Sequence, residues 1–216
     1  MSLPELFLDL LYPPRCAFCR RLLWKDALAC PDCLKSLPYT GAAAIGRKLP
    51  HIAACASPLY YEGDVRASLL RYKFHSLTAY SKVYAKIMLK CIDECGISCD
   101  IISWTPLSAK RLRKRGYDQA RLLAEEIARE LGKPCLPLLK KTVNNPAQSG
   151  AGSPERRKAN VAGVYAFSSD RPLEGESVLL IDDIVTTGAT LSECARVLKA
   201  AGAGKICAVT LARTRE

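Results

Sequence analysis

Apolar and polar positions along this chain change period several times, and the changes mark its elements. An apolar run at about residues 52–61 predicts a strand, and helical spacing follows over about 64–73 and again over about 79–94. A short run at 100–104 predicts a second strand, an amphipathic pattern over about 117–131 a helix, and a run at 135–139 a third strand. Further strands are expected near 164–167, 177–182 and 205–212, with a helix near 189–201 between the last two. Such alternation implies an α/β fold, a mostly parallel sheet flanked by helices. Ligands of these sheets bind beyond the carboxyl ends of the strands, so the residues that follow each strand matter most.

The first fifty residues read differently. Met1–Leu11 is apolar but carries Glu5 and Asp9 and no basic leader, which predicts a short amphipathic helix rather than a secretory signal. Cys16-Ala-Phe-Cys19 and Cys30-Pro-Asp-Cys33 are two hooks separated by 10 residues. Two hooks supply four soft thiolates, the tetrahedral set that zinc favours, and leave no open position, so Cys16, Cys19, Cys30 and Cys33 are expected to hold a structural Zn2+. Arg15, Arg20, Arg21, Lys25 and Lys35 surround them, as a solvated rim or a nucleic-acid contact. Cys91, Cys95 and Cys99 have helix-like spacing and read as small residues near a packed face. Eleven cysteines, an odd and unevenly spaced number, suit a reducing cytoplasm better than a disulfide framework. Pro38 and Pro50 bracket a small-residue segment with Gly41 and Gly46, which divides the chain into a zinc ribbon-like module and linker, 1–50, and a larger domain, 51–216.

With 216 residues, 49% hydrophobic and 25% charged, the chain has material for one core and a small appendage, and disorder is excluded. No run approaches the ~20 apolar residues of a membrane helix, so no membrane insertion is expected. The net charge is +11, and residues 105–160 hold 13 Lys and Arg against 5 Asp and Glu. A concentrated cationic segment points to a phosphate-bearing partner.

The richest segment is Val178-Leu-Leu-Ile-Asp182-Asp183-Ile-Val-Thr186-Thr187-Gly188-Ala189-Thr190. It reads as a buried strand, an acid pair and a hydroxyl-rich turn opening a helix. Amides at a helix start favour phosphate, the threonines add hydroxyls, and Gly188 lets the backbone come close. Adjacent carboxylates accept from a vicinal diol or bind hydrated Mg2+. Phosphate beside diol describes a ribose 5-phosphate. A Walker-type nucleotide hydrolase is set aside, because Gly41-Ala-Ala-Ala-Ile-Gly46-Arg47-Lys48-Leu49 lacks the required Gly-Lys-Ser/Thr.

This segment resembles the phosphoribosyl pyrophosphate (PRPP) signature of type I phosphoribosyltransferases. The four-cysteine head, Arg71-Tyr-Lys73-Phe-His75, Thr105-Pro-Leu-Ser108, Arg111-Leu-Arg-Lys-Arg115-Gly-Tyr-Asp118-Gln119, the Gln148–Asn160 region and Leu211-Ala-Arg213 narrow the resemblance to the ComF family, associated with competence and DNA uptake. The chain departs from the family at the loop from Asn144 to Pro154, longer and less apolar than usual. The resemblance implies that Asp182 and Asp183 hold the ribose hydroxyls with Mg2+ nearby, and that Thr186, Thr187, Gly188, Ala189 and Thr190 cradle the 5-phosphate. It makes Thr105–Ser108 the loop that meets pyrophosphate. Lys110–Arg115, five cations in six residues, becomes a hood whose Arg111 and Arg115 neutralise the leaving group. The same cations suit single-stranded DNA, with Tyr72, Phe74 and Tyr117 as candidate stacking surfaces. The favoured function is a competence-type, PRPP-binding protein that handles single-stranded DNA together with uptake proteins. The alternatives are a nucleobase-salvage phosphoribosyltransferase and a regulator that senses PRPP without chemistry.

The paired hooks give a first test. Replacing one ligand, Cys16→Ser, is expected to lower the zinc content per chain and unfold the head; metal analysis that finds the zinc unchanged would refute the assignment.

Overall fold

In a computed structural model, residues 13–24, 27–41, 44–46, 48–142 and 163–215 are described. The expected amino-terminal helix and the loop from Asn144 to Pro154 lie outside them. The elements are α1 (Pro31–Ser36), β1 (Ala54–Ala56), β2 (Leu59–Tyr60), α2 (Gly63–Phe74), α3 (Tyr80–Glu94), β3 (Ile101–Trp104), α4 (Ala109–Arg115), α5 (Gln119–Leu131), β4 (Leu139–Lys141), β5 (Tyr165–Phe167), β6 (Val178–Val185), α6 (Ala189–Ala200) and β7 (Ile206–Arg213).

The main sheet runs β1-β7-β6-β3, with β2 also on β7, and every pair in it is parallel. Its two central strands carry the longest apolar runs because both of their faces are covered. Side chains alternate between the faces. Leu179 and Ile181 of β6, with Cys207, Val209 and Leu211 of β7, join one core with α2, α3 and α5. Val178 and Leu180, with Ile206 and Ala208, join a second core with α6, β4 and β5.

The expected strands are corrected in three places. The run at 52–61 is two short strands, because Pro58 cannot donate to a ladder and Ser57 turns its buried hydroxyl to Thr210, at 2.7 Å. The run at 135–139 gives only one parallel bridge, from Cys135 to Ile102, before Pro137 interrupts it. Strand order resumes at Leu139, where β4 leaves the main sheet and pairs antiparallel with β5. Finally, β6 runs on to Val185, so the acid pair lies within the strand instead of after it.

The linker is paired chain. Tyr60 N–H donates to Pro38 O at 2.8 Å, Thr40 N–H to Pro58 O at 2.9 Å, Ser57 N–H to Ala44 O at 2.9 Å and Gly46 N–H to Cys55 O at 3.0 Å. The segment runs antiparallel along β1 and β2 and covers polar groups that this edge would otherwise expose. Cys16, Ala17 and Phe18 are fully buried in the same core as α2, α3 and α5.

Candidate sugar-phosphate site and zinc centre

Strand periodicity sends adjacent side chains to opposite faces of a sheet, and the acid pair obeys it. Asp183 is buried on the α2 face, where Lys73 Nζ makes an ion pair with its Oδ2 at 2.8 Å. That oxygen has no hydrogen-bond partner among the described residues, so the ammonium neutralises it without saturating it. Asp182 lies nearer the α6 face, and its charge is felt by Cys194, Tyr165 and Lys141. Its Oδ1 accepts the Asp183 N–H at 2.8 Å, and the Thr105 hydroxyl also bonds to it. Burial, and then the charge of Asp183, push the Asp182 carboxyl above the ordinary range; the bonds from Thr105 and the Asp183 amide and the charge of Lys73 oppose the rise.

Thr105 follows β3 directly and donates its N–H to Ile181 O at 3.0 Å, which brings the 105–108 loop alongside the acids. Ser108 caps α4 by accepting the Arg111 N–H at 3.4 Å. Asp118 fixes the same loop from the other side. It caps α5 through the amides of Ala120 and Arg121, at 3.1 and 3.3 Å, and accepts the Leu107 N–H at 2.9 Å. Burial raises its pKa, against the lowering effect of those amides.

On the other side of the acids, Gly188 is the N-cap of α6 at φ 76, a left-handed conformation natural to glycine. A Cβ there would collide with Leu49 of the linker, so the turn needs glycine twice over. Thr187 Oγ1 accepts the Ala189 N–H at 3.4 Å, Thr186 is exposed, and Ala189 and Thr190 are half-buried.

The two proposed cations separate. Arg111 lies close enough to Lys141 that its charge, after burial, lowers the lysine's pKa. Lys141 Nζ donates to the Tyr165 hydroxyl at 3.2 Å, and Tyr165 also bonds to Thr190. Arg111 therefore belongs to the acid-pair neighbourhood. Arg115 turns the other way, donating to Gln119 Oε1 with its guanidinium 5.3 Å from the Phe74 ring. Of the candidate stacking aromatics, Tyr72 is fully buried and cannot stack on a base, Tyr117 is half-buried and donates to Tyr72 O, and Phe74 is 66% exposed.

Lys73, Asp118, Lys141 and Tyr165 had no role in the sequence reading. Asp118 was open to detection as an N-cap residue before an amphipathic helix. Lys73 was not, since its partner is more than a hundred residues away and only the fold joins them.

In the head, Arg15 bridges Leu22 antiparallel, Cys16 N–H donates to Arg21 O at 2.9 Å, and α1 begins at the second hook with Cys30 as its N-cap. The four Sγ atoms lie within 4.8 Å of one another, and Cys19 and Cys30 sulfurs are 3.8 Å apart. Tetrahedral thiolates on zinc at about 2.3 Å lie about 3.8 Å from each other, so the donor set fits that ion. Amides of Cys30 and Cys33 point at the Cys16 and Cys30 sulfurs, each at 3.4 Å. Burial would raise the Cys16 thiol, but backbone hydrogen bonds from Cys30, Cys19 and Phe18 outweigh it and lower the pKa to about 7. The site is a structural zinc centre.

A fold of this kind, with a strand–acid–threonine turn and a four-cysteine head, defines a phosphoribosyltransferase-type domain joined to a zinc ribbon. The phosphoribosyl transferase domain family matches residues 118–216, and the double zinc ribbon domain family matches residues 7–60. Of the five cysteines in the latter stretch only four cluster, Cys55 lying in β1. Competence protein F of Haemophilus influenzae is 26% identical over 208 residues, 93% of this chain and 85% of that protein. DNA utilization protein YhgH of Salmonella typhimurium is 26% identical over 206 residues, 92% of this chain and 90% of that one. Competence protein ComFC of Bacillus subtilis is 30% identical over 159 residues, 71% of this chain and 62% of that one. The chain is thus similar over most of its length to competence and DNA utilization proteins, and carries a phosphoribosyl transferase domain and a zinc ribbon. No helix of the described residues is long and apolar enough to cross a membrane.

The two acids should respond oppositely to neutralisation. A carboxyl whose folded pKa exceeds its ordinary 3.8 withdraws stability as pH rises from that value towards the folded one. Asp182→Asn is therefore expected to raise the denaturation midpoint, by more at pH 7 than at pH 4. Asp183→Asn strands the Lys73 ammonium and is expected to cost about 3 kcal/mol. Urea unfolding of both variants at the two pH values checks this, and a pH-independent gain for Asp182→Asn would contradict it.

Proposed function

We propose that the chain binds PRPP with Mg2+ at the ends of β3 and β6 and acts in handling single-stranded DNA in the cytoplasm, in concert with uptake proteins. The observation that carries this reading is the backbone hydrogen bond from Thr105 N–H to Ile181 O at 3.0 Å, which seats the 105–108 loop beside the acid pair directly before the threonine turn. In it, Asp182 and Asp183 accept from the ribose hydroxyls, and Thr186–Thr190 at the start of α6 surround the 5-phosphate. The pyrophosphate would meet Thr105–Ser108 and Arg111. The acid pair offers carboxylate oxygens, the donor type a hard divalent cation takes. Bound there, Mg2+ would supply charge neutralisation to the leaving pyrophosphate. The protein's own part is to hold the sugar's anomeric carbon open to an acceptor whose bond forms as the bond to pyrophosphate breaks. Names that couple competence and DNA utilization to relatives over nearly the whole chain support DNA as the setting. The exposed cations Lys110, Arg113 and Lys114 of α4, and exposed Phe74 with Arg115 over its ring, offer a surface for it, because charge gives affinity and an aromatic face stacks bases without sequence preference.

Two measurements test the reading. Calorimetry with Mg2+ and PRPP is expected to show one site per chain that Asp182→Asn abolishes; wild-type protein that binds no PRPP overturns it. A pyrophosphate-release assay with DNA and with free bases then separates the chemistries. Release with free bases identifies salvage, and binding without release identifies sensing. For DNA, changing Arg111, Arg113 and Arg115 to Gln is expected to reduce the slope of log affinity against log salt by about 0.7 for each phosphate that an arginine had neutralised. An unchanged slope places the DNA elsewhere.

A further inference from the structure

The motif Arg71-Tyr72-Lys73-Phe74 falls between the two matched stretches, 7–60 and 118–216, and the proposed chemistry does not account for it. It is the last turn of α2. Each of its four side chains ends on a different part of the molecule.

Arg71 faces the zinc head. Its Nη2 donates to Ala17 O at 2.8 Å and to Phe18 O at 2.7 Å, and Ser68, one turn earlier, also donates to Ala17 O. Ala17 and Phe18 lie between the ligands Cys16 and Cys19, so the direction of both carbonyls is set by the closed chelate. Tyr72 faces the 105–119 region: its hydroxyl donates to Gln119 O at 2.9 Å, and its own carbonyl accepts from Tyr117. Lys73 reaches Asp183 at 2.8 Å, and Phe74 stacks under Arg115 at 5.3 Å. The Tyr72 ring meets Tyr84 edge-on at 5.2 Å, and Phe18 meets the same Tyr84 at 6.0 Å, so knuckle and helix share one aromatic contact.

We propose that the zinc-closed knuckle is a positioning element for the acid pair, acting through Arg71 and α2, so that zinc in the head and ligand on Asp182 and Asp183 bind with positive cooperativity. A guanidinium nitrogen shared by two carbonyls fixes the rotation and height of the helix end, and Lys73 lies two residues further along. Opening the chelate frees both carbonyls to turn, which leaves a buried guanidinium without acceptors and the helix end without its anchor. The ammonium then loses its fixed place beside Asp183, and with it the charge that favours both carboxylates as acceptors. Linkage makes the effect reciprocal: whatever ligand needs the held acids tightens the metal. Arg71 is a positioning residue, since it touches neither the acids nor the threonine turn. The coupling rests on the PRPP reading only for the identity of that ligand.

One arm of the test needs no ligand. Hydrogen exchange of the full, zinc-loaded chain is compared with zinc-loaded Arg71→Lys, which keeps the charge but replaces the planar guanidinium by an ammonium on a shorter stem. Faster exchange is expected at the end of α2 and across residues 107–120, with β4 and β5 unchanged; faster exchange confined to residues 13–24 overturns the coupling. In the second arm, zinc is competed away with a chromogenic chelator with and without Mg2+ and PRPP. The ligand is expected to raise the apparent zinc affinity of the wild type roughly tenfold, within the usual range for coupled sites. Lys73→Met, which leaves the knuckle intact, is expected to abolish that rise. Bound ligand that leaves the zinc affinity unchanged, or a rise that survives Lys73→Met, overturns the proposal. If the wild type binds no PRPP, the functional reading falls and the exchange arm still decides the coupling. Should Arg71→Lys fail to fold, Lys73→Met takes its place in the exchange arm, with faster exchange across 107–120 supporting the coupling and none overturning it.

Discussion

Two neighbouring carboxylates on a buried strand cannot share one environment, because the pleat sends them to opposite faces. Much of the site follows from that constraint. Asp183, buried on the side of α2, α3 and α5, needs a positive partner and finds it in Lys73. Asp182 is held by the Thr105 hydroxyl and a neighbouring amide, which with the charge of Lys73 lessen the cost of ionising it without removing that cost. One acid thus carries an ion pair, while burial raises the pKa of the other. A ligand that brings hydroxyls or a divalent cation supplies what Asp182 lacks, and so gains affinity from the relief of an existing strain in charge. The unliganded protein carries that cost, as binding sites often do.

The head is bound into this arrangement by burial. A module of some thirty residues has too little apolar material to fold unaided, and metal is the usual remedy. Here a second remedy is added, since Cys16, Ala17 and Phe18 are buried in the core of the larger domain and the chain after α1 pairs along the edge of the sheet. Those contacts make the head a part of the fold. The zinc centre therefore bears on the stability of α2 and α3 as well as on its own loop. The linker also reaches the threonine turn, where Leu49 packs on Gly188.

What the sequence disclosed, it disclosed through local signals. The hooks Cys16–Cys19 and Cys30–Cys33 and the run from Val178 to Thr190 were legible because spacing and period within a few residues specify them. The same holds for the helices over 64–73, 79–94 and 117–131, each within two residues of the observed bounds. Apolar runs with proline inside them misled, since Pro58 and Pro137 leave composition strand-like while removing the donor that a ladder requires. The helix α4 was unread because five cations in one short stretch give it no apolar stripe. Tyr72 stood open as a stacking surface or, more often for an aromatic, a core residue, and its helix turns it inward and places it fully in the core. Contacts such as Lys73 with Asp183, or Arg71 with the Ala17 and Phe18 carbonyls, join segments far apart in the chain, and no local pattern encodes them.

A consequence for the chemistry lies in how the cations are divided. Arg111 sits with Lys141 and Tyr165 beside the acid pair, whereas Arg115 is committed to Gln119 and Phe74 on the side of α2. One short helix therefore presents two cationic edges, one beside the acid pair and one next to an exposed aromatic ring. Positions four apart share one face of a helix, so it is their partners, Lys141 on one side and Gln119 with Phe74 on the other, that part the two guanidinium groups. Gly116, left-handed at φ 82, ends the helix at once, and Asp118 starts the next by capping it and holding Leu107. The two edges thus keep a fixed relation to the loop that would receive pyrophosphate. Asp118 ties the start of α5 to the loop beside the acids, so both edges of α4 are set against one fixed point of the fold.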